Sequence, residues 1–293
     1  MSDVPPESSP EAPPELSPEL SAKRDRLIDL LRSYGSCAVA YSGGLDSTVL
    51  AKAACLALGE HAVAVTGTSA SMAADQLDEA KEIARKIGIR HEVVATGELA
   101  VTAYYTNDAD RCYHCKNELF ACVEEVAQRA NVAVIMEGSN HDDLGDYRPG
   151  LKAAKEWHVK SPLIECELTK ADIRLLAEAW RLSPANKPAT PCLSSRIAYG
   201  EQVTAERLSM IDQAEQFLRR HGFQPVRVRY HKDDVARIEV AIEQLPQFAD
   251  YGLRREVIEY FKRLGFKYVA IDLEGFRSGS MNAVLLTGGK PGS

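Results

Sequence analysis

Short apolar runs alternate with amphipathic segments in this 293-residue chain, and that alternation constrains the fold more than any other feature. The apolar runs suit buried strands, and the segments between them have helical spacing. We predict strands at 37–42, 61–67, 91–96 and 131–138, and helices at 21–33, 47–58, 73–87 and 117–129. Strands that alternate with helices predict βαβ units, and therefore an α/β fold with a doubly wound parallel sheet. Ligands of such sheets bind where the strands end.

The pattern changes after a connection that contains Pro184, Pro188 and Pro191. Beyond it the sequence predicts a smaller α+β unit, with helices at 204–221 and 252–264 and strands at 226–231, 235–240 and 267–274. Two domains are therefore expected, at 21–190 and 191–285, followed by a flexible tail at 286–293.

Residues 1–20 contain six prolines, five acids and no base, a composition that predicts disorder. The whole chain has 35 basic and 42 acidic residues, so the part beyond this tail is close to neutral. Near-neutral charge argues against a strongly electrostatic nucleic-acid binder. No apolar run is long enough for a membrane span, and the N-terminus lacks the regions of a signal peptide. We expect a cytoplasmic protein with no nucleic-acid or membrane partner.

A glycine loop joins the first predicted strand to its helix, with the sequence S-G-G-L-D-S at residues 42–47. Gly43 and Gly44 let the backbone approach a ligand, and the N–H groups that open the helix can bind an anion. Ser42 and Ser47 add hydroxyl donors. The loop lacks the lysine of a G-x-x-x-x-G-K-[ST] loop, whereas Asp46 beside bound phosphates could help to hold Mg²⁺. These features predict a phosphate-binding loop.

Three of the seven cysteines are candidates for metal binding or catalysis. Cys112 and Cys115 form a C-x-x-C, and Cys192 follows the proline-rich connection. From the residues alone, the C-x-x-C could be a thiol–disulfide pair, a zinc site with His114 is possible, and Cys192 could be a structural thiol. The remaining cysteines lie among apolar residues and are predicted to be small buried hydrophobes, at positions 37, 55, 122 and 166.

Two further groups of polar residues are candidates for ligand binding. Arg227 and Arg229 are two apart on a predicted strand, so both project from one face and could bind a phosphate together. The alternative is a solvated strand face. Polar side chains also crowd the loop after the fourth strand, where a solvated loop is the alternative reading: Asn140, Asp142, Asp143, Asp146 and Arg148.

The run at residues 42–47 resembles the S-G-G-x-D-S motif of the PP-loop ATP pyrophosphatases, which have an adenine nucleotide alpha hydrolase-like fold. The resemblance implies cleavage of ATP between its α- and β-phosphates, with Mg²⁺, and adenylation of a carbonyl or carboxyl oxygen. Together with this run, four more segments resemble the LarE family of sulfur-inserting enzymes, so that the likeness spans about 21–285: 137–153, 187–200, 226–239 and 275–282.

The likeness to LarE implies a role in making the nickel-pincer nucleotide. The substrate would be pyridinium-3,5-dicarboxylate mononucleotide, each carboxylate of which is adenylated and then attacked by sulfur to give a thiocarboxylate and AMP. An acyl adenylate is reactive because AMP is a good leaving group. The partners implied are this mononucleotide and other proteins of the nickel-pincer pathway, while the ultimate sulfur source stays open. A homo-oligomer is expected.

The family's sulfur-bearing cysteine corresponds to Cys192. In some members this cysteine gives up its own sulfur, whereas others resemble enzymes in which three thiolates hold a [4Fe-4S] cluster whose open iron carries sulfide. Because Cys112 and Cys115 are present, the resemblance favours the cluster-dependent kind. It also assigns the substrate phosphate to Arg196 together with the arginine pair on the predicted strand, and an acidic active-site position to Glu215.

Other functions remain to be weighed against this one. A tRNA thiolase can also combine a PP-loop with cluster-binding cysteines, but the near-neutral charge and the arginine pair favour a small mononucleotide. A non-catalytic nucleotide or iron–sulfur binding protein would keep the loop without releasing pyrophosphate. The resemblance to the family also suggests Arg277, in the run 275–282, as a residue of the site.

Overall fold

A computed structural model describes residues 15–145, 149–183, 191–277 and 279–282. The described strands are β1 Cys37–Ala40, β2 Ala62–Thr68, β3 Arg90–Ala95, β4 Val134–Met136, β5 Val226–His231, β6 Val235–Val240 and β7 Tyr268–Ile271. The described α-helices are α1 Pro18–Tyr34, α2 Leu45–Leu58, α3 Ala74–Ile87, α4 Thr102–Tyr105, α5 Arg111–Ala130, α6 Pro149–Glu156, α7 Pro162–Glu165, α8 Lys170–Ala179, α9 Ala205–Arg220 and α10 Tyr251–Leu264.

Strands β1–β4 form a parallel sheet in the order β3-β2-β1-β4, with helices on both faces. Alternate residues of β1 point to opposite faces. Cys37 and Val39 pack in the core beneath α1, α2 and α8, whereas Ala38 and Ala40 pack beneath α5 and α6. The predicted α/β fold with a doubly wound parallel sheet is confirmed, and it is consistent with a PP-loop fold.

The C-terminal unit contains a second, mixed sheet in the order β5-β6-β7. Strands β5 and β6 are antiparallel, and β6 pairs with β7 in parallel. Val226 and Val228 of β5 pack with Ile211 of α9 and Phe261 of α10, which gives this unit its own core. The predicted strands 226–231 and 235–240 coincide with β5 and β6 from end to end.

The two units share part of this second core. Ala73 and Tyr104 of the N-terminal unit pack with Leu193 and Ile197, which follow Cys192 in the chain. The segment after Cys192 is thereby held against the connection that leads into α5.

Some predicted boundaries are wrong, for local reasons. Helix α1 begins at Pro18, so residues 18–20 belong to the helix and not to a disordered tail. Ser17 caps it, and proline suits the first helical turn. Helix α5 begins six residues before the predicted start, because its first turn is stabilised by contacts with the C-terminal unit, which the helical spacing could not reveal. Helices α4, α6, α7 and α8 were not predicted.

Several predictions lie outside the described residues. They are the tail over 1–14, the prolines at 184 and 188, and the flexible tail at 286–293. Among the described helices, none combines the length and the apolar character needed to cross a membrane.

Replacing Ser17 by alanine tests the start of α1. The Ser17 hydroxyl accepts a hydrogen bond from the Leu20 N–H at 3.2 Å, and Ser17→Ala leaves that donor without its partner. Loss of such a cap lowers the free energy of unfolding by about 1 kcal/mol, which urea titration can measure. Ser33→Ala, near the exposed end of the same helix, is the control and is expected to cost less than about 0.5 kcal/mol. Equal losses for the two variants would contradict the assigned cap.

Candidate functional site

The glycine loop lies at the carboxyl end of β1, where a ligand of a parallel sheet is expected. Gly43 has φ +74°, and a Cβ there would lie 3.0 Å from the Cβ of Ala80 in α3. Gly44 precedes the first turn of α2. A Cβ on Gly138, after β4, would lie 2.9 Å from the Ser47 nitrogen. The loop therefore fits closely between α3 and the end of β4, and larger residues would displace it.

Hydroxyl groups close the loop on itself. The Ser42 and Ser47 oxygens are 3.2 Å apart, and the Ser42 N–H donates to Ser47 Oγ at 3.3 Å. The Gly44 N–H donates to Ser42 Oγ at 3.3 Å. The predicted loop residues are thus brought together around the N-terminus of α2, where N–H groups and hydroxyls can be offered to an anion.

A lysine reaches this loop from a distant segment. Lys170, the first residue of α8, forms a short ion pair with Asp46 through Nζ and Oδ2. The Asn140 amide donates to the other oxygen, Oδ1, at 3.3 Å. The glycine loop has no lysine of its own, but the fold brings Lys170 of α8 next to it. Sequence reasoning missed Lys170, because no motif links it to Asp46.

The loop after β4 holds Asn140 and Lys170 in place. The Asn140 N–H donates to Asp143 Oδ2 at 3.0 Å, and the Lys170 N–H donates to Asp142 Oδ2 at 2.8 Å. Asn140 and Asp143 are buried, so the alternative of a solvated loop is wrong for these two. Residues 146 and 148, which were grouped with them, lie outside the described residues.

A Mg²⁺ ion suits the chemistry of this group, because carboxylate and amide oxygens are hard ligands. Both oxygens of Asp46 accept hydrogen bonds here, from Lys170 and from Asn140. A cation at Asp46 would therefore take the place of the lysine ammonium, which would become available to a phosphate.

A second buried acid connects the sheet edge to the cysteines. Glu137 follows β4 and accepts hydrogen bonds from Lys116 Nζ at 3.3 Å and from Ser161 Oγ at 3.1 Å. Burial would raise the pKa of the Glu137 carboxyl, but Lys116 and the hydroxyls of Ser139 and Ser161 hold it below its ordinary value. Lys116 directly follows Cys115 in α5, so this ion pair joins the end of β4 to the C-x-x-C. Neither residue was singled out from the sequence.

The two cysteines of the C-x-x-C lie in the first turn of α5, three residues apart and therefore on one side of the helix. Burial raises the pKa of the Cys115 thiol, and negative charges on Cys192, Glu98 and Cys112 raise it further. Burial and the charge on Cys192 likewise raise the pKa of Tyr104. The three cysteines are thus within electrostatic reach of one another.

The donor set suits an iron–sulfur cluster in its chemistry, since it comprises three soft thiols. Within the described part of the chain, however, no three His, Cys, Asp or Glu side chains lie close enough to hold a metal ion as they stand. Binding by Cys112, Cys115 and Cys192 together would need their sulfur atoms to come closer. The same holds for zinc with His114, whose Nε2 lies 3.4 Å from Asp110 Oδ2. All seven cysteines are free thiols, so the C-x-x-C forms no disulfide here.

The cysteines predicted to be small buried hydrophobes divide into two groups. Cys37 and Cys166 are buried, as predicted, whereas Cys55 and Cys122 are half-buried.

The Arg196 side chain binds the backbone of the segment that contains Cys192. Its Nη1 donates to the carbonyl oxygens of Pro191 at 2.5 Å and Cys192 at 3.0 Å. Its Nε donates to Glu215 Oε1 at 3.0 Å, and this ion pair is almost fully buried. Glu215 also accepts from the Val228 N–H at 3.1 Å. Its contacts make Glu215 the partner of Arg196, and its catalytic role stays a prediction.

The two arginines of β5 are buried, at 8% exposure for Arg227 and 6% for Arg229, so the alternative of a solvated strand face is wrong. Arg229 donates to Glu239 Oε2 at 2.7 and 3.0 Å and to Ser280 Oγ at 3.0 Å. Burial lowers the pKa of Arg227 to about 10, and the nearby Arg196 charge contributes to the lowering. Burial is the larger cause, so the shift reflects the loss of water around the guanidinium first and the neighbouring positive charge second.

Glu239 was missed from the sequence, although it lies opposite Arg227 in the β5–β6 pair and is fully buried. Its second oxygen accepts from Arg237 at 2.9 Å and from Ser280 at 2.7 Å. Arg277 is exposed and pairs with Glu274 at 2.5 Å, and its role in the site stays a prediction.

Three known proteins resemble this chain over most of its length. No family model matches it. An uncharacterized protein of Synechocystis is 44% identical over 247 residues, which are 84% of this chain and 92% of the relative. The pyridinium-3,5-bisthiocarboxylic acid mononucleotide synthase of Lactiplantibacillus plantarum is 35% identical over 264 residues, 90% of this chain and 95% of the relative. An uncharacterized protein of Methanocaldococcus jannaschii is 30% identical over 242 residues, 82% and 90% of the two chains.

The fold and the glycine loop after β1 define an α/β protein of PP-loop type. Within that class, the relative from Lactiplantibacillus plantarum shows the family, because the match covers nearly the whole of both chains. The chain belongs to the LarE family.

Proposed function

We propose that this protein is an ATP-dependent sulfur transferase that converts pyridinium-3,5-dicarboxylate mononucleotide into its bisthiocarboxylate. The observation that carries the proposal is the placement of Cys192. Its carbonyl is bound by Arg196, beside the buried arginines of β5, while its sulfur lies within electrostatic reach of Cys112 and Cys115. A sulfur carrier at Cys192 would thus lie between a group of thiols and a group of buried arginines, and the name of the Lactiplantibacillus plantarum relative agrees with such a substrate.

The glycine loop would bind the phosphates of ATP. Ser42, Ser47 and the N–H groups that open α2 offer donors, and Lys170 adds a positive charge that can move from Asp46 to a phosphate oxygen. Asp46 would hold Mg²⁺, which neutralises phosphate charge when it is bound. A substrate carboxylate oxygen would then attack the α-phosphorus while the bond to the β-phosphate breaks and pyrophosphate leaves.

The acyl adenylate would next react with sulfur at the carboxyl carbon, and AMP would leave with the former carboxylate oxygen. A [4Fe-4S] cluster held by Cys112, Cys115 and Cys192 would supply an iron-bound sulfide for this purpose. In the alternative mechanism the Cys192 thiolate itself attacks and forms a thioester. A base then removes the Cα proton of Cys192, the bond between Cβ and sulfur breaks with the thiocarboxylate as the leaving group, and dehydroalanine remains.

The substrate phosphate would bind between Arg196, Arg227 and Arg229. Two of these guanidinium groups already have a carboxylate partner, Glu215 for Arg196 and Glu239 for Arg229. Arg219 also pairs with Glu215, and Arg237 also pairs with Glu239, so basic side chains are concentrated around these two carboxylates, which suits a phosphate. Arg227 carries the lowered pKa and would gain the most from the bound anion.

Asp46→Asn is expected to reduce adenylation. The variant removes the charge that would hold Mg²⁺ at the phosphates, and loss of one such electrostatic contact typically costs on the order of 10²-fold in rate. ATP–pyrophosphate exchange in the presence of the mononucleotide measures this step. Asp78→Asn, which changes an exposed acid of α3 that pairs with Lys81, is the control and should exchange at the wild-type rate. Wild-type exchange by Asp46→Asn would remove this residue from the ATP site.

Arg227→Met is expected to weaken binding of the mononucleotide and to spare ATP. A hydrogen bond to a charged group is worth roughly 1.5–3 kcal/mol, so the affinity should fall about tenfold or more. Titration calorimetry with each ligand separates the two effects. The matched control is Arg255→Met, an exposed arginine of α10 that pairs with Glu259. If ATP binding weakened as much as mononucleotide binding, Arg227 would belong to another ligand.

Single Cys→Ala variants distinguish the two sources of sulfur. If Cys112, Cys115 and Cys192 share a cluster, each variant should bind less iron and form less thiocarboxylate after anaerobic purification, while pyrophosphate release survives. If Cys192 is consumed, Cys192→Ala alone should abolish transfer, and the spent wild-type protein should be lighter by H₂S in intact mass. Full transfer by Cys192→Ala would contradict both mechanisms. Cys55→Ala, half-buried and distant in sequence, is the control.

The substrate class is tested in the same assay. Replacing the mononucleotide by tRNA should give neither thiolation nor salt-dependent binding. Thiolated tRNA in place of the thiocarboxylate would overturn the proposed substrate while keeping the adenylation step.

A further inference from the structure

The segment that follows Cys192 is bound by a side chain from the connection between α4 and α5. Asn107 is fully buried and has φ +62°, a left-handed conformation that asparagine tolerates better than most residues. Its amide donates to the carbonyl oxygens of Ala198 at 2.8 Å and Ile197 at 3.3 Å. A residue of the N-terminal unit thus satisfies backbone acceptors of the C-terminal unit.

Arg111 extends this contact to within two residues of Cys192. Its side chain is buried, and Nη1 donates both to the Ser194 carbonyl at 2.7 Å and to Asn107 Oδ1. Arg111 is the first residue of α5 and immediately precedes Cys112. One guanidinium therefore links the turn that carries the C-x-x-C to the loop that carries Cys192.

Two neighbouring hydrogen bonds complete the attachment of this loop. The hydroxyls of Tyr104 and Ser194 are 2.5 Å apart, and the Leu193 N–H donates to the Ser71 carbonyl at 2.8 Å. These contacts hold the backbone of the loop, but neither brings a charge to the cysteines. Arg111 is different, because it brings a buried positive charge into the contact.

The hydrogen bonds of Arg111 hold the Cys192 loop against the start of α5. Both are donated by the same nitrogen, Nη1, to one acceptor in each of the two units. Without this guanidinium, the Ser194 carbonyl and the Asn107 amide oxygen would lose their shared donor.

We propose that Arg111 is a positioning residue that sets the distance between Cys192 and the C-x-x-C cysteines by bridging Asn107 and the Ser194 carbonyl. Its consequence for sulfur transfer rests on the proposed function, whereas the distance itself does not. Removing Arg111 should let the Cys192 loop move away from α5 without changing the spacing of Cys112 and Cys115, which is fixed by the helix.

Cross-linking of thiols measures this distance directly. Reduced, metal-free protein is treated with a bis-methanethiosulfonate reagent with a two-carbon spacer, and peptides are analysed by mass spectrometry. Each reacting thiolate forms a disulfide with the reagent and displaces methanesulfinate. The readout is the ratio of links that contain Cys192 to the link between Cys112 and Cys115, which serves as an internal reference. Because loss of a hydrogen bond from a charged group typically changes an equilibrium about tenfold or more, Arg111→Met should lower the ratio about tenfold.

Three further variants keep the test decisive. Tyr105→Phe removes a hydrogen bond to Gln202 between the same two segments, at the surface, and should keep the wild-type ratio. Arg111→Lys retains a cationic donor and should recover most of the ratio. If Arg111→Met does not fold, Asn107→Gly tolerates the positive φ, removes the amide that Arg111 binds, and should lower the ratio instead.

A wild-type ratio in folded Arg111→Met, or an equal fall in Tyr105→Phe, would overturn the proposal. The outcome is independent of the enzyme assay. If the wild-type protein formed no thiocarboxylate, the proposed function would fail, and the cross-linking ratio would still decide the role of Arg111.

Discussion

The buried ion pair between Arg196 and Glu215 is the interaction on which the rest of the site depends. Through it, α9 fixes the guanidinium that binds the carbonyls of Pro191 and Cys192. Glu215 also accepts the Val228 N–H, so the same carboxylate fixes β5. Two charges taken out of water are tolerated only when their hydrogen bonds are satisfied, and removing one partner of such a pair commonly costs 3–5 kcal/mol. The pair therefore limits how far the Cys192 loop can shift.

The charge balance of the C-terminal unit follows from this arrangement. Arg196 and Arg229 are each matched by a buried glutamate, whereas the pKa of Arg227 is lowered by burial and by its arginine neighbours. Basic side chains are concentrated around these glutamates, because Arg219 also pairs with Glu215 and Arg237 also pairs with Glu239. The two buried carboxylates offset the cost of burying these cations.

The N-terminal unit contributes the glycine loop and the C-x-x-C, and short polar contacts join these two features. Lys116 links α5 to Glu137 at the end of β4, and Gly138 packs on the first turn of α2. From the other end of the C-x-x-C, Arg111 reaches the Cys192 loop. Arg111 and Lys116, on either side of the C-x-x-C, thus join α5 both to the Cys192 loop and to the end of β4.

Local patterns in the sequence predict the alternation of strands and helices and the glycine loop. They also predict that Arg227 and Arg229 project from the same face of β5. These features are local, because hydrophobic period, glycine conformation and strand alternation act over a few residues. Other contacts are visible only in the folded chain. Lys170 pairs with Asp46, Glu239 pairs with Arg229, and Arg111 binds the Ser194 carbonyl. Each of these pairs joins segments that no local pattern relates. The packing of the two cores determines these contacts, because it brings distant charged residues together. A buried charge is costly unless it is paired and hydrogen-bonded.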